Sequence, residues 1–226
     1  ADNVWHALKV CFANEIGNIC KAQGLDSHAV MDIFCQDTKL NLSAYYMKPG
    51  FAFGGSCLPK DVRALTYKSR QLDVPTPVLD AIMPSNRQQV DTGIRMITEQ
   101  GRKRIGILGF SFKAGTDDLR ESPLVDVIEH LLGKGYDVKI YDRNVSLASL
   151  VGANRDYILK QIPHISALML ETAAEVLDHA EVVVVGNGAE EFRRLLDQVR
   201  PEQAIVDLVR ISEPPPGHPG YNGICW

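Results

Sequence analysis

Apolar residues recur along the start of the chain with the period of a helix. With Asn3 as origin and ~100° per residue, Trp5, Leu8, Phe12, Ile16 and Ile19 fall inside an arc of about 80°. That pattern predicts a long helix ending near Gly24 and burying this arc. Asn3, His6 and Asn14 gather in a second arc of about 80° on the opposite side, which is either a solvated face or a surface that meets a ligand. Asp26 or Ser27 can cap a second helix reaching about Cys35. Residues 41–56 carry no sustained period and hold Tyr45, Tyr46, Lys48 and Pro49. A loop of this length is a place to look for function. Helical periodicity returns from Pro59 to Arg70, breaks at Pro75 and Pro77, and resumes to about Gln100.

Beyond the basic stretch Gly101 to Arg104 the pattern changes. Short apolar runs at Ile105–Leu108, Val138–Tyr141, Glu181–Val185 and Ala204–Leu208 read as buried strands. Ser122-Pro123 places an N-cap before a proline at the first helical position, and Leu124, Val127, Ile128, Leu131 and Leu132 make the following helix amphipathic until Gly133 or Gly135. Further helical segments are expected at Glu171–Asp178 and Glu190–Val199, and the Pro- and Gly-rich run Glu213–Gly220 reads as irregular. Strands alternating with helices imply a parallel, doubly wound sheet. The fold class expected is therefore α/β: an all-helical region over residues 1–100, then a Rossmann-like domain over 101–226.

Composition narrows the function. The 226 residues carry 24 Lys and Arg against 28 Asp and Glu, so no basic field exists to hold a nucleic-acid backbone. No apolar run approaches the roughly 18 residues of a membrane helix, and no export signal opens the chain. Five cysteines, with neither C-x-x-C nor a zinc-like Cys/His spacing, fit free thiols in a reducing cytoplasm. Ala1 stands where a start methionine would, with helical periodicity running by Trp5, and the chain reads as part of something longer.

Neither Gly106-Ile-Leu-Gly109 nor Gly186-Asn187-Gly188 makes a dinucleotide fingerprint, and Gly109-Phe-Ser111-Phe-Lys113 is no nucleophile elbow. Two stretches remain. The polar turn Lys113–Ser122 follows the first strand and leads into a helix, where open α/β sheets bind ligands and where Lys113 and Arg120 suit phosphate; a surface loop with local ion pairs is the alternative. In Phe53-Gly54-Gly55-Ser56-Cys57-Leu58-Pro59-Lys60-Asp61, paired glycines allow close backbone approach and Pro59 marks a helix start. Cys57 then sits beside a positive helix terminus and Lys60, a setting in which thiols react. The other four cysteines read as small hydrophobes.

The helix from Asn3 to Asn14-Glu15, the loop F-G-G-S-C-L-P-K-D and the turn F-K-A-G-T-D-D-L-R-E-S occur in one order along the chain. Together they resemble the UDP-glucose/GDP-mannose dehydrogenase superfamily, and the Tyr45-Tyr46-Met47-Lys48-Pro49-Gly50 text is most similar to its GDP-mannose branch, which supplies an alginate precursor. The resemblance implies an NAD-binding domain preceding this chain, then a helical dimerisation region, then a Rossmann-like domain for the nucleotide sugar. It implies an NAD-dependent four-electron oxidation of a sugar C6 alcohol to the acid. Cys57 would be the nucleophile, Asp61 the helper in water and proton transfer, and Asn3 the residue that positions water or the reacting oxygen. Asn3, His6, Asn14, Tyr45, Tyr46, Lys48, Phe51, Gly54 and Lys113 would meet the nucleotide sugar, and Lys60 and Arg120 would contribute to NAD. The lysine expected four residues ahead of Asn3 falls outside the chain, so this segment alone is not expected to turn over. A UDP-glucose 6-dehydrogenase, and a non-catalytic nucleotide-binding dimerisation module, are the alternatives.

Overall fold

A computed structural model describes residues 1–39, 43–111, 119–145, 158–162, 165–213 and 217–226. The chain forms two compact units: Ala1–Asp91 together with Cys225–Trp226, and Thr92–Ile224.

The first unit is helical. Helix α1, Asp2–Ala22, ends as the Leu25 N–H reaches back to the Cys20 carbonyl at 2.9 Å. Asp26 caps α2, Ser27–Phe34, accepting from the N–H groups of His28 and Ala29. Helix α3, Leu58–Gln71, carries Pro59 in its first turn. Helix α4, Pro77–Thr98, begins in the first unit and continues into the second.

The unit's core departs from the sequence expectation. Val4, Ala7 and Cys11 of α1 pack with Phe53, Val62 and Ile82, while Ala13 packs with Met31 and Met47. Of the apolar arc expected to be buried, Leu8 and Ile16 are half-buried against these clusters, but Trp5 is 49%, Phe12 39% and Ile19 55% exposed. The reason is steric. Small residues let the neighbouring helices and loop approach α1 closely, so the bulky stripe is the side left over. At Gly17 an added Cβ would lie 2.8 Å from the Cys225 Cβ and 2.9 Å from the Pro49 Cβ.

In the second unit, strands β1 (Arg104–Leu108), β2 (Asp137–Tyr141), β3 (Val182–Val185), β4 (Ala204–Asp207) and β5 (Tyr221–Gly223) form one sheet in the order β2-β1-β3-β4-β5. Every pairing is parallel. Four consecutive valines fill β3, all fully buried, because both faces of a parallel sheet are covered. Helix α5, Pro123–Gly133, follows β1 and presents Leu124, Val127, Ile128 and Leu131 to the interior. Ser122 occupies the N-cap position as expected, but its hydroxyl donates to the Phe110 carbonyl at 2.7 Å instead of capping the helix. The helix Ala173–His179 opens with a capping box between Thr172 and Glu175. Strand β5 escapes the sequence pattern, being three residues long and preceded by a Pro- and Gly-rich run.

Among the described residues, no helix is long and apolar enough to cross a membrane, and no cluster of His, Cys, Asp and Glu could hold a metal ion.

Candidate active site

The candidate nucleophile is placed by a turn followed by a helix start. Gly55, at φ +80°, turns the chain through a region that residues with a Cβ avoid. Cys57 then takes the N-cap position of α3, where unpaired N–H groups gather positive potential. Its side chain makes no capping bond and is exposed, with the Ser56 hydroxyl 3.9 Å from its sulfur. Asp61 lies one helical turn on, and its N–H bonds the Cys57 carbonyl at 3.0 Å.

Asp61 also joins α3 to α1: the Asn3 amide donates to its Oδ2 at 2.7 Å. That bond, with Lys60 Nζ 3.5 Å from Oδ1, holds the Asp61 carboxyl below the usual carboxylate range. Asn3, Lys60 and Asp61 thus form one polar group beside the start of α3. On the same side of α1, the His6 ring stacks on Tyr46 at 4.7 Å, and Tyr45 meets Tyr46 edge-on at 4.7 Å. Tyr46 has φ +68°, a conformation costly for a residue with a side chain, so its neighbours must hold it there. Lys48 is exposed in the same loop.

Asn14 does something its sequence position alone does not reveal. It is buried, and both ends of its amide are engaged by loop backbone: Oδ1 accepts from the Gly50 N–H at 2.9 Å, and Nδ2 donates to the Phe51 carbonyl at 3.3 Å. Phe51 and Gly54 are half-buried on that loop.

In the second unit, the carboxyl ends of β1, β2 and β3 meet where the strand order reverses. Asp142, buried after β2, accepts at Oδ2 from the N–H groups of Phe110 and Ser111, from the Ser111 hydroxyl and from Asn187 Nδ2, all within 3.3 Å. Gly109 has φ +80°, and a Cβ there would lie 2.4 Å from the Asn187 side chain. Residues 109–111 at the end of β1 are therefore locked by their neighbours. The amides of Phe110 and Ser111 are spent on Asp142, so they do not offer the pyrophosphate cradle of a dinucleotide site. Residues 112–118, Lys113 among them, lie outside the described residues; Arg120 is half-buried just beyond.

Sequence reading overlooked Asn86, Gln89 and Cys225. Asn86 and Gln89 are buried on the side of α4 that also carries Ile82, and a polar pair inside an apolar stripe was the available signal. Cys225, taken for a small hydrophobe, is buried but hydrogen-bonded to Gln89.

The chain is thus a mostly helical unit with an exposed thiol at a helix start, followed in sequence by a five-stranded parallel α/β unit. Residues 1–88 match the central domain of the UDP-glucose/GDP-mannose dehydrogenase family, and residues 106–214 its UDP binding domain; the chain belongs to this family. It is 54% identical to GDP-mannose 6-dehydrogenase of Pseudomonas putida over 225 residues, 99% of this chain and 51% of the relative. Its fold matches a ternary complex of the Pseudomonas aeruginosa GDP-mannose dehydrogenase with TM-score 0.76 and 55% identity, covering 99% of this chain and 51% of that one. It also matches a UDP-glucose dehydrogenase from Pyrobaculum islandicum with TM-score 0.78 and 26% identity, covering 100% of this chain and 50% of that one. The chain thus spans about half the length of the relatives it matches.

Proposed function

We propose that this chain carries the nucleophile and nucleotide-sugar surfaces of an NAD-dependent GDP-mannose 6-dehydrogenase, which oxidises the C6 alcohol to GDP-mannuronate for alginate-type polysaccharide synthesis. The observation that carries the reading is Cys57, exposed at the start of α3, with the Asn3–Asp61 pair one turn away. Substrate choice follows the relatives, at 49–55% identity for GDP-mannose enzymes against 26–30% for UDP-glucose enzymes.

Two-step oxidation of one carbon sets a specific demand. An aldehyde cannot release a second hydride until a nucleophile adds to it. The Cys57 thiolate adds to the aldehyde carbon, giving a thiohemiacetal whose oxidation yields a thioester; water then cleaves the thioester and returns the thiol. Bound NAD supplies the hydride acceptor, and its main site lies outside this chain. Asn3 positions the reacting oxygen or the hydrolytic water, and Asp61 helps to hold that water and move its proton. His6, Tyr45 and Tyr46 cover apolar sugar or base surface, Phe51 and Gly54 line the loop, and Lys48 and Lys113 meet phosphate. Asn14 contributes through the loop backbone that it holds. Lys60 and Arg120 supply charge toward NAD.

The open stripe of Trp5, Phe12 and Ile19 on α1 supports a homodimer, and the free thiols support work in the cytoplasm.

The test is the NADH released per sugar nucleotide by the full-length protein, with GDP-mannose and UDP-glucose supplied separately. Two NADH from GDP-mannose are expected, falling to no net acid formation in Cys57→Ser, whose oxygen is a poor leaving group. Two NADH from UDP-glucose alone would move the substrate. Full turnover by Cys57→Ser would remove the thioester, and no NADH from either sugar would leave a nucleotide-binding module.

A further inference from the structure

We infer that Asn86, Gln89 and Cys225 are positioning residues for nucleotide-sugar binding, acting through the backbone of residues 49–53. The inference rests on the reading of that loop as a nucleotide-sugar surface.

The segment belongs to no helix or strand, so its polar backbone groups have no regular ladder. Side chains take that role. Asn86 accepts from the Phe53 N–H and donates to the Phe53 carbonyl, both at 2.9 Å, pairing with one residue as a neighbouring strand would. Gln89 Nε2 donates to the Gly50 carbonyl at 2.6 Å. Cys225 converges on the same place, with its sulfur 3.3 Å from Gln89 Nε2 and 3.6 Å from the Gly50 carbonyl oxygen. Gln89 is itself oriented, because its Oε1 accepts from Asn18 Nδ2 at 2.9 Å. Cys225 is anchored in turn by the Ser27 hydroxyl, which donates to its carbonyl at 2.5 Å. His28 Nε2 lies 3.0 Å from the Pro49 carbonyl, and its ring meets Trp226 edge-on.

Each of the three side chains is buried, so water does not compete for these bonds. The pins act on the main chain between Lys48 and Gly54, leaving the exposed Lys48 and half-buried Phe51 side chains for a ligand. The loop is read as meeting the sugar nucleotide away from the reacting carbon, so its displacement acts on binding. Loss of a pin therefore weakens binding of the sugar nucleotide in ground and transition states alike, raising KM and sparing kcat.

The test uses the full-length enzyme with GDP-mannose and NAD. Gln89→Leu removes the donor at near-constant volume, and Gln89→Glu keeps the shape with an acceptor in its place. Both are expected to raise the KM for GDP-mannose by ~10-fold, with kcat within about twofold, the KM for NAD unchanged and the Cys57 alkylation rate unchanged. An unchanged KM for GDP-mannose, or equal losses toward both substrates, would overturn the inference. Should the Gln89 variants fail to fold, Cys225→Ala, which removes the sulfur's contacts to Gln89 and the Gly50 carbonyl, carries the same test with the same criteria. Lys48→Ala separates the two levels. If it raises the KM while the Gln89 variants do not, positioning is wrong and the loop reading stands; if Lys48→Ala has no effect, the loop reading fails.

Discussion

Replacing Gly17 with alanine sets two effects of known sign against each other. In the middle of a helix, glycine costs about 1 kcal/mol relative to alanine, so helix propensity alone predicts stabilisation. The packing predicts the reverse. The new Cβ would meet the Cys225 Cβ at 2.8 Å, the Pro49 Cβ at 2.9 Å and the Cys225 sulfur at 3.0 Å. Two of those atoms are Cβ carbons fixed to backbone, so neither can swing aside as the end of a long side chain could. Relief requires α1 or the loop to shift by roughly half an ångström, and overpacking of this kind costs about 1–3 kcal/mol. The net expectation is destabilisation by about 1 kcal/mol, a fall of ~2–4 °C in the melting midpoint. Gly133, at the end of α5, provides the comparison, because nothing lies within 4 Å of its added Cβ. Gly133→Ala is expected to leave the midpoint unchanged or raise it. Thermal unfolding of both variants, followed by circular dichroism on the full-length protein, decides the matter. A Gly17→Ala midpoint at or above the parent's would refute the close approach.

Three further outcomes follow from the site and the core. Asn3→Leu removes the donor that depresses Asp61, so the carboxyl should titrate at higher pH by carbon-13 NMR; the pair's contribution is present above the unfolded value of about 3.9 and lost as pH falls through the folded one. An unmoved titration would dissociate Asn3 from Asp61. Burial pushes the Cys11 and Cys225 thiols up to about 11, so both should resist alkylation at pH 8 by mass spectrometry while exposed Cys57 reacts, and their contribution to stability should decline as pH rises from about 8.5 toward 11. Asp142→Ala withdraws the shared acceptor of two buried N–H groups and should cost about 3 kcal/mol or more in urea unfolding, a loss below about 1 kcal/mol refuting the lock on residues 109–111.

The order of elements was legible because it depends on local signals: proline at helix starts, Asp26 as a cap, and a valine run too apolar for anything but a buried parallel strand. The candidate site was legible where its chemistry is written contiguously, as in Gly54-Gly55-Ser56-Cys57. Long-range contacts were harder. Hydrophobic periodicity finds a stripe on α1 but does not say which side a neighbour takes, and here close packing chose the small residues Ala7, Cys11 and Gly17 over Trp5 and Phe12. The pairing of Asn14 with Gly50, or of Cys225 with Gln89, spans 36 and 136 residues and leaves no trace in spacing.

Helix α1 has little neutral circumference. One side holds Asn3 and His6 toward the site, another packs Val4, Ala7 and Cys11, a third seats Ala13 against Met31 and Met47, and the last bears the aromatic and aliphatic stripe. Most surface helices owe their tolerance of substitution to one side that answers only to water. With the stripe covered in the proposed homodimer, sequence drift along α1 should accordingly be slow at nearly every turn, and any variation that is accepted should come in compensating pairs with the element it faces.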